Sequence, residues 1–194
     1  MSEDRDIPEY DNLDVLVNRL LGGGEMPVPT LELTAEMVEF YKTPARVVLE
    51  LSERVNFGAE DVFFDLGSGL GQVALLVNIL TGVMAKGVEI EPAYCDYARS
   101  GAFRLGLSDV EFIKGDAQFA DLSAGTVFFL FTPFKGEVFL QVMDRLRVLA
   151  LTRGIRVIGY GACSAEVARL GWLRREEGGA SGEYSLQIFS SSAG

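Results

Sequence analysis

The stretch Val62-Phe63-Phe64-Asp65-Leu66-Gly67-Ser68-Gly69-Leu70-Gly71-Gln72-Val73 decides the fold. The apolar run 62–64 follows an acidic pair and reads as a short buried strand; alternating glycines then mark a tight turn, and 71–80 reads as a helix stopped at Gly82. Downstream the same alternation repeats: strand 83–89, helix Pro92–Leu105 closed by Gly106, and strand 110–113, each near the length that a βαβ crossover requires. A second half supplies strand 127–131, helix 137–149, strand 156–160 and a short helix over 165–170. Two last strands, 172–174 and 184–189, flank Gly178-Gly179-Ala180-Ser181-Gly182 and predict an antiparallel hairpin at one edge. The expected fold is therefore α/β: a doubly wound, mostly parallel seven-stranded sheet with an antiparallel C-terminal hairpin.

Upstream of the deciding stretch, 12–21 carries a helical apolar stripe (Leu13, Val15, Leu16, Leu20, Leu21) that ends at Gly22-Gly23-Gly24. A second helix is expected over 34–41. Thr43 is expected to cap a third, with Pro44 at its first position and Val47, Val48, Leu51 and Val55 on its buried face. This divides the chain into a helical N-terminal extension or lid, 1–43, and one doubly wound α/β domain, 44–190.

Composition narrows the function. A chain of 194 residues that is 48% hydrophobic can bury a full core as one domain. Its longest apolar runs, such as 73–77 and 127–131, fall far short of the roughly 20 residues a membrane helix needs. The acidic, polar start is unlike a secretory signal, so a cytoplasmic location is expected. Cys95 and Cys163 are too isolated for a metal site and are expected to be reduced core thiols. The absence of histidine removes the commonest general base and most zinc catalysis. A net charge of -11 repels polyphosphate backbones, so long nucleic acid is not an expected partner.

In open α/β sheets ligands sit beyond the carboxyl ends of the strands at the point where strand order reverses, and 65–71 is the loop that borders that point. Gly67-x-Gly69-x-Gly71 is not the Gly-x-Gly-x-x-Gly of dinucleotide sites, and the Gly-Lys-Ser of a P-loop is missing. A carboxylate at Asp65, just before the loop, would repel pyrophosphate but suit a ligand carrying an ammonium and a sulfonium. Glu89, ending the second strand, is placed to accept hydrogen bonds from a ribose diol.

Over roughly 43–134 the sequence resembles the class I, Rossmann-like S-adenosylmethionine-dependent methyltransferases. Its segment Asp65 to Val73 looks much like the loop of the disruptor-of-telomeric-silencing histone lysine methyltransferases, though the chain has no basic tail of the kind those enzymes use on nucleosomes. The resemblance implies S-adenosylmethionine as cofactor, held by Asp65, Gly67, Ser68, Gly69, Gly71 and Gln72. It makes Glu89 the ribose ligand, Ile90 a wall of the adenine slot and Asp116 the acceptor for the adenine amino group, with Ala117 beside it. Tyr41 and Thr43 fall in the segment that closes over the methionine end.

Methyl transfer from a sulfonium needs two reactants held in line and no histidine. Thr132-Pro133-Phe134 follows the fourth strand, where the resemblance places a substrate-facing motif, often Asn, Asp or Ser followed by Pro-Pro and an aromatic. Here Thr132 replaces the amide or acid, and one proline stands for two. These three are the candidate catalytic residues, with a nitrogen acceptor on a protein side chain or small molecule expected beside them. Two other readings remain: a catalytically silent nucleoside-binding module, and a nicotinamide-dependent oxidoreductase.

Overall fold

A computed structural model describes residues 10–22, 25–178 and 182–191. The acidic start, Gly23-Gly24, the middle of the 178–182 loop and the last three residues of the chain lie outside them. The strands are β1 (Val62–Leu66), β2 (Met84–Glu89), β3 (Val110–Lys114), β4 (Val127–Leu130), β5 (Arg156–Gly159), β6 (Leu173–Arg175) and β7 (Gln187–Ser191). The helices are α1 (Asn12–Leu20), α2 (Ala45–Arg54), α3 (Gln72–Thr81), α4 (Pro92–Leu105), α5 (Gly136–Ala150) and α6 (Cys163–Val167).

The strands form one seven-stranded sheet in the order β3-β2-β1-β4-β5-β7-β6. The first five strands run parallel, and β7 is antiparallel to both β5 and β6. The C-terminal strand thus inserts between its hairpin partner and β5 instead of ending the sheet. Strand order reverses between β1 and β4, so a crevice opens beyond their carboxyl ends.

Side chains alternate across the sheet with period two. Phe63 and Phe129 face a core shared with α2, α3 and α4, while Phe64 and Phe128 face one shared with α5 and α6. Because both faces are covered, β4 reads as an unbroken apolar run, buried at every position. Cys95 and Cys163 are buried and unbridged. Among the described residues no helix is long and apolar enough to cross a membrane, and no group of His, Cys, Asp or Glu could hold a metal ion.

Two expectations in the N-terminal region are corrected. Residues 34–41 form no helix; they run extended after a single turn, with Met37 bridging Phe134 and Lys135 N–H donating to Glu36 O at 3.0 Å. An eight-residue helix gains too little by itself to offset nucleation, even with Ala35, Glu36, Met37 and Glu39 favouring it, so pairing with a distant loop wins. Thr43 does not cap α2. Pro44 takes the cap position without a side-chain bond, and Ala45 N–H donates instead to Asp14 Oδ1 of α1 at 2.8 Å. Asp14 is buried and also closes the capping box of α1 with Asp11, so one carboxylate ties the starts of two helices together.

Candidate functional site

The crevice at the switch point holds a cavity of about 550 Å³. Its floor is the β1–α3 loop and its sides are the loops after β2, β3 and β4. The segment 25–43, here called the strap, crosses over it and supplies Leu31, Met37, Phe40 and Tyr41 to the wall.

The floor is pinned to β2 by Gly67 N–H and Ser68 N–H, which both donate to Val88 O at 2.9 and 3.0 Å. Gly67 (φ 79°) and Gly69 (φ 51°) lie in the left-handed region. Sequence reasoning gave these glycines to the ligand; in the structure both also stand against neighbouring loops. A Cβ at Gly67 would stand 2.2 Å from Pro133 Cβ, and one at Gly69 would stand 2.2 Å from the Phe40 ring. Gly69 and Gly71 do not border the cavity. The loop expected to hold a donor is therefore in direct contact with the loop expected to face the acceptor, and with the strap.

Asp65 ends buried at 3% exposure with Oδ2 lacking a hydrogen-bond partner. Burial, with the nearby Glu89 carboxylate adding to it, pushes its pKa up to about 8. Ser68 Oγ and Gln72 Oε1 are likewise buried without partners, while Gln72 Nε2 donates to Thr43 O at 2.7 Å. Buried polar atoms left open around a cavity are what a polar ligand would satisfy.

Glu89 Oε2 accepts from Gly69 N–H at 2.7 Å and Oε1 from Glu91 N–H at 2.8 Å. Burial raises its pKa against these bonds. Glu89 thus shapes the glycine loop while keeping acceptor capacity on both oxygens. Ile90 and buried Ala117 border the cavity beside it. Asp116 also borders it, with Oδ1 taking Gln118 N–H and Oδ2 taking Gln118 Nε2, each at 2.8 Å.

On the β4 side, Thr132 is the only non-glycine residue with positive φ (42°) among those described. A β-branched residue there is strained, and surrounding contacts must hold it. They do: Cys163 N–H donates to Thr132 Oγ1 at 3.2 Å, and that hydroxyl donates to Tyr160 O at 3.4 Å. The Thr132 hydroxyl is thereby committed to the protein. Pro133 abuts Gly67, and Phe134 is buried against the strap through Met37.

All the candidate residues except Gly69 and Gly71 border the one cavity. Its ionisable lining is Glu36, Glu39, Asp65, Glu89, Glu91 and Asp116 against Lys42 alone; a bound cation would favour the Asp65 carboxylate, and the balance opposes pyrophosphate. Sequence reasoning missed Phe40, Thr30, Leu31 and Glu91. Pro92 was legible as a helix start, but the reach of the strap to Glu91 before it was not.

The family model for the histone methylation protein DOT1 matches residues 39–106, from the end of the strap through α4. No curated protein matches the chain. Among solved structures, an RNA methyltransferase from Salinibacter ruber in complex with S-adenosyl-L-homocysteine is 27% identical, covering 79% of this chain and 94% of its own, with a TM-score of 0.58. A putative methyltransferase from Escherichia coli is 12% identical over 79% of this chain and 90% of its own, with a TM-score of 0.65. A precorrin-6y C5,15-methyltransferase from Geobacter metallireducens is 15% identical over 81% and 93%, with a TM-score of 0.58. The fold is that of the class I methyltransferases.

Proposed function

We propose that this chain, built on the class I methyltransferase fold, binds S-adenosylmethionine in the switch-point cavity and methylates a nitrogen on a protein side chain or small molecule. The observation that carries the reading is the buried Asp65 carboxyl with an unpartnered oxygen, next to Glu89, in a largely apolar cavity whose ionisable residues are acids except for Lys42. These residues fit the cofactor: Asp65, Ser68 and Gln72 offer open polar atoms to the ammonium and carboxylate of the methionine end, and Glu89 offers open acceptor positions to a ribose. When bound, the cofactor supplies a methyl group on a cationic sulfur, an electrophile that requires no histidine from the chain. The chain's own part is to hold donor and acceptor in line and to keep water out.

Pro133 brings the β4 loop against the glycine loop, with Phe134 beside it on the cavity wall, which supports an acceptor docked there. An acceptor nitrogen gains positive charge on methylation, and an aromatic face nearby favours that charge by about 0.5 to 2 kcal/mol. The Salinibacter ruber neighbour is described as acting on RNA. For this chain the net charge of -11 weighs against long RNA as the acceptor.

Calorimetry with S-adenosylhomocysteine is expected to give a micromolar Kd, about 8 kcal/mol. Glu89→Ala should weaken it by about 1 to 3 kcal/mol, the scale for losing bonds to a charged acceptor. Unchanged affinity in that variant would remove Glu89 from the site. Phe134→Ala should lower turnover far more than donor affinity, as expected for an interaction made in the transition state. A methyl group found on oxygen or carbon by mass spectrometry, or turnover unaffected by Phe134→Ala, would overturn the acceptor assignment. Donor binding without product, across candidate amines, would favour a silent binding module.

A further inference from the structure

Glu89 and Glu91 stand two residues apart at the carboxyl end of β2, both buried and both bordering the cavity. Their hydrogen bonding differs in kind. A carboxylate has about four acceptor positions. Glu89 fills one on each oxygen with backbone N–H groups. Glu91 has none left: Oε1 accepts from Thr30 Oγ1 at 2.8 Å and Ala93 N–H at 3.0 Å, and Oε2 accepts from Thr30 N–H at 2.9 Å and Leu31 N–H at 2.8 Å. A ligand in the cavity finds no vacant acceptor on Glu91.

Three of those four bonds come from the strap, 60 or 61 residues away in sequence. Between residues 25 and 42 the strap has no helix or strand, and its other backbone ties are the Met37–Phe134 bridge, Lys135 N–H to Glu36 O and, at its C-terminal end, the Tyr10 hydroxyl to Lys42 O and Gln72 Nε2 to Thr43 O. Farther along, the Phe40 ring rests on Gly69 and on Tyr94, with ring centroids 5.4 Å apart. A segment with so few internal bonds belongs to the low-stability end of a structure. Bonds to an ionised acceptor are roughly twice as strong as neutral ones. Burial works against ionisation of Glu91, yet N–H donation from Ala93, Leu31 and Thr30 and the Thr30 hydroxyl holds its carboxyl below the usual range.

We propose that Glu91 is a positioning residue, the latch that closes the strap over the cavity, and that the strap lifts from it each time donor or product exchanges. The second half of this inference rests on reading the cavity as the donor site. In Glu91→Gln the side chain keeps its shape and one oxygen, so Ala93 N–H and the Thr30 hydroxyl retain an acceptor, but the new amide nitrogen cannot accept from the Thr30 and Leu31 N–H groups.

Hydrogen exchange read by mass spectrometry on the full, ligand-free chain tests the latch without any cofactor. Glu91→Gln should speed exchange at Thr30 and Leu31 on the order of tenfold, with α4 unchanged. Thr30→Val, which removes the hydroxyl bond only, should give a smaller effect, and Thr30→Ser should match the wild type. Stopped-flow binding of S-adenosylhomocysteine should show association and dissociation both faster in Glu91→Gln than in the wild type. Exchange that rises across α4 as a whole would make Glu91 an ordinary helix cap and overturn the latch. Faster dissociation with unchanged association would mean that Glu91 acts on the bound ligand, and would also overturn it. A wild-type chain that binds no S-adenosylhomocysteine would overturn the donor reading and the exchange role with it, whereas protection at residues 30–31 decides the latch by itself.

Discussion

Asp65→Asn is expected to stabilise the ligand-free protein at pH 8 while weakening S-adenosylmethionine at least tenfold. Both effects come from one buried carboxyl. Its pKa is about 8 in the folded chain against 3.8 for an ordinary aspartate. Between those values the native state keeps a proton that the unfolded chain has released, so stability falls as pH rises through the window and levels off above about 8. The limit is set by about 1.4 kcal/mol per pH unit, hence a few kcal/mol in all. Asparagine has no such proton to lose, so the slope should flatten, and melting curves from pH 5 to 9 read it directly. A cationic ligand reverses the preference by favouring the carboxylate. Binding to the wild type should therefore release a proton near neutral pH and tighten from about pH 6 to 9, as calorimetry in buffers of different ionisation heat would reveal. An Asn variant that kept both the pH slope and the affinity would show that Asp65 is not the ligand's counter-charge.

The second large effect is expected at the glycine loop, and the structure ranks two substitutions that the sequence leaves equal. Gly67→Ala forces an L residue to φ 79° and drives its Cβ to 2.2 Å from Pro133 Cβ, an atom of a rigid ring on a loop fixed by Thr132. Backbone strain and overpacking each cost about 1 to 3 kcal/mol, so a loss of about 3 kcal/mol or more is expected, with donor binding abolished. Gly69→Ala meets the edge of the Phe40 ring, which belongs to the strap and can swing away. Its cost should be smaller in stability and appear chiefly as a loosened strap. Denaturation midpoints and S-adenosylhomocysteine affinities for the pair check the ranking; a Gly67→Ala protein as stable as Gly69→Ala would contradict the contact between the donor and acceptor loops.

What the sequence by itself determined is whatever rests on local chemistry. α4 runs from Pro92 to Leu105 as read, because proline starts it and Gly106, at φ 66°, ends it. The period-two and period-3.6 apolar patterns set the alternation of strands and helices, and the alternating glycines marked the β1–α3 turn at the edge of the cavity because turn chemistry is a local property. What only the tertiary structure decided depends on partners far apart in the chain. The apolar residues of 34–41 fit a helix as well as an extended run, and pairing of Met37 with Phe134 settled it. β7 took the place between β5 and β6 because both could offer it an antiparallel edge. Asp14 replaced Thr43 as the cap of α2 once α1 lay across its start. Asp65, Glu89 and Glu91 are all acids near strand ends, indistinguishable by type. Burial left an oxygen of Asp65 without a partner, two backbone N–H groups engaged Glu89, and the strap filled Glu91, because hydrogen-bond capacity is assigned by whichever donor the folded chain brings within 3 Å.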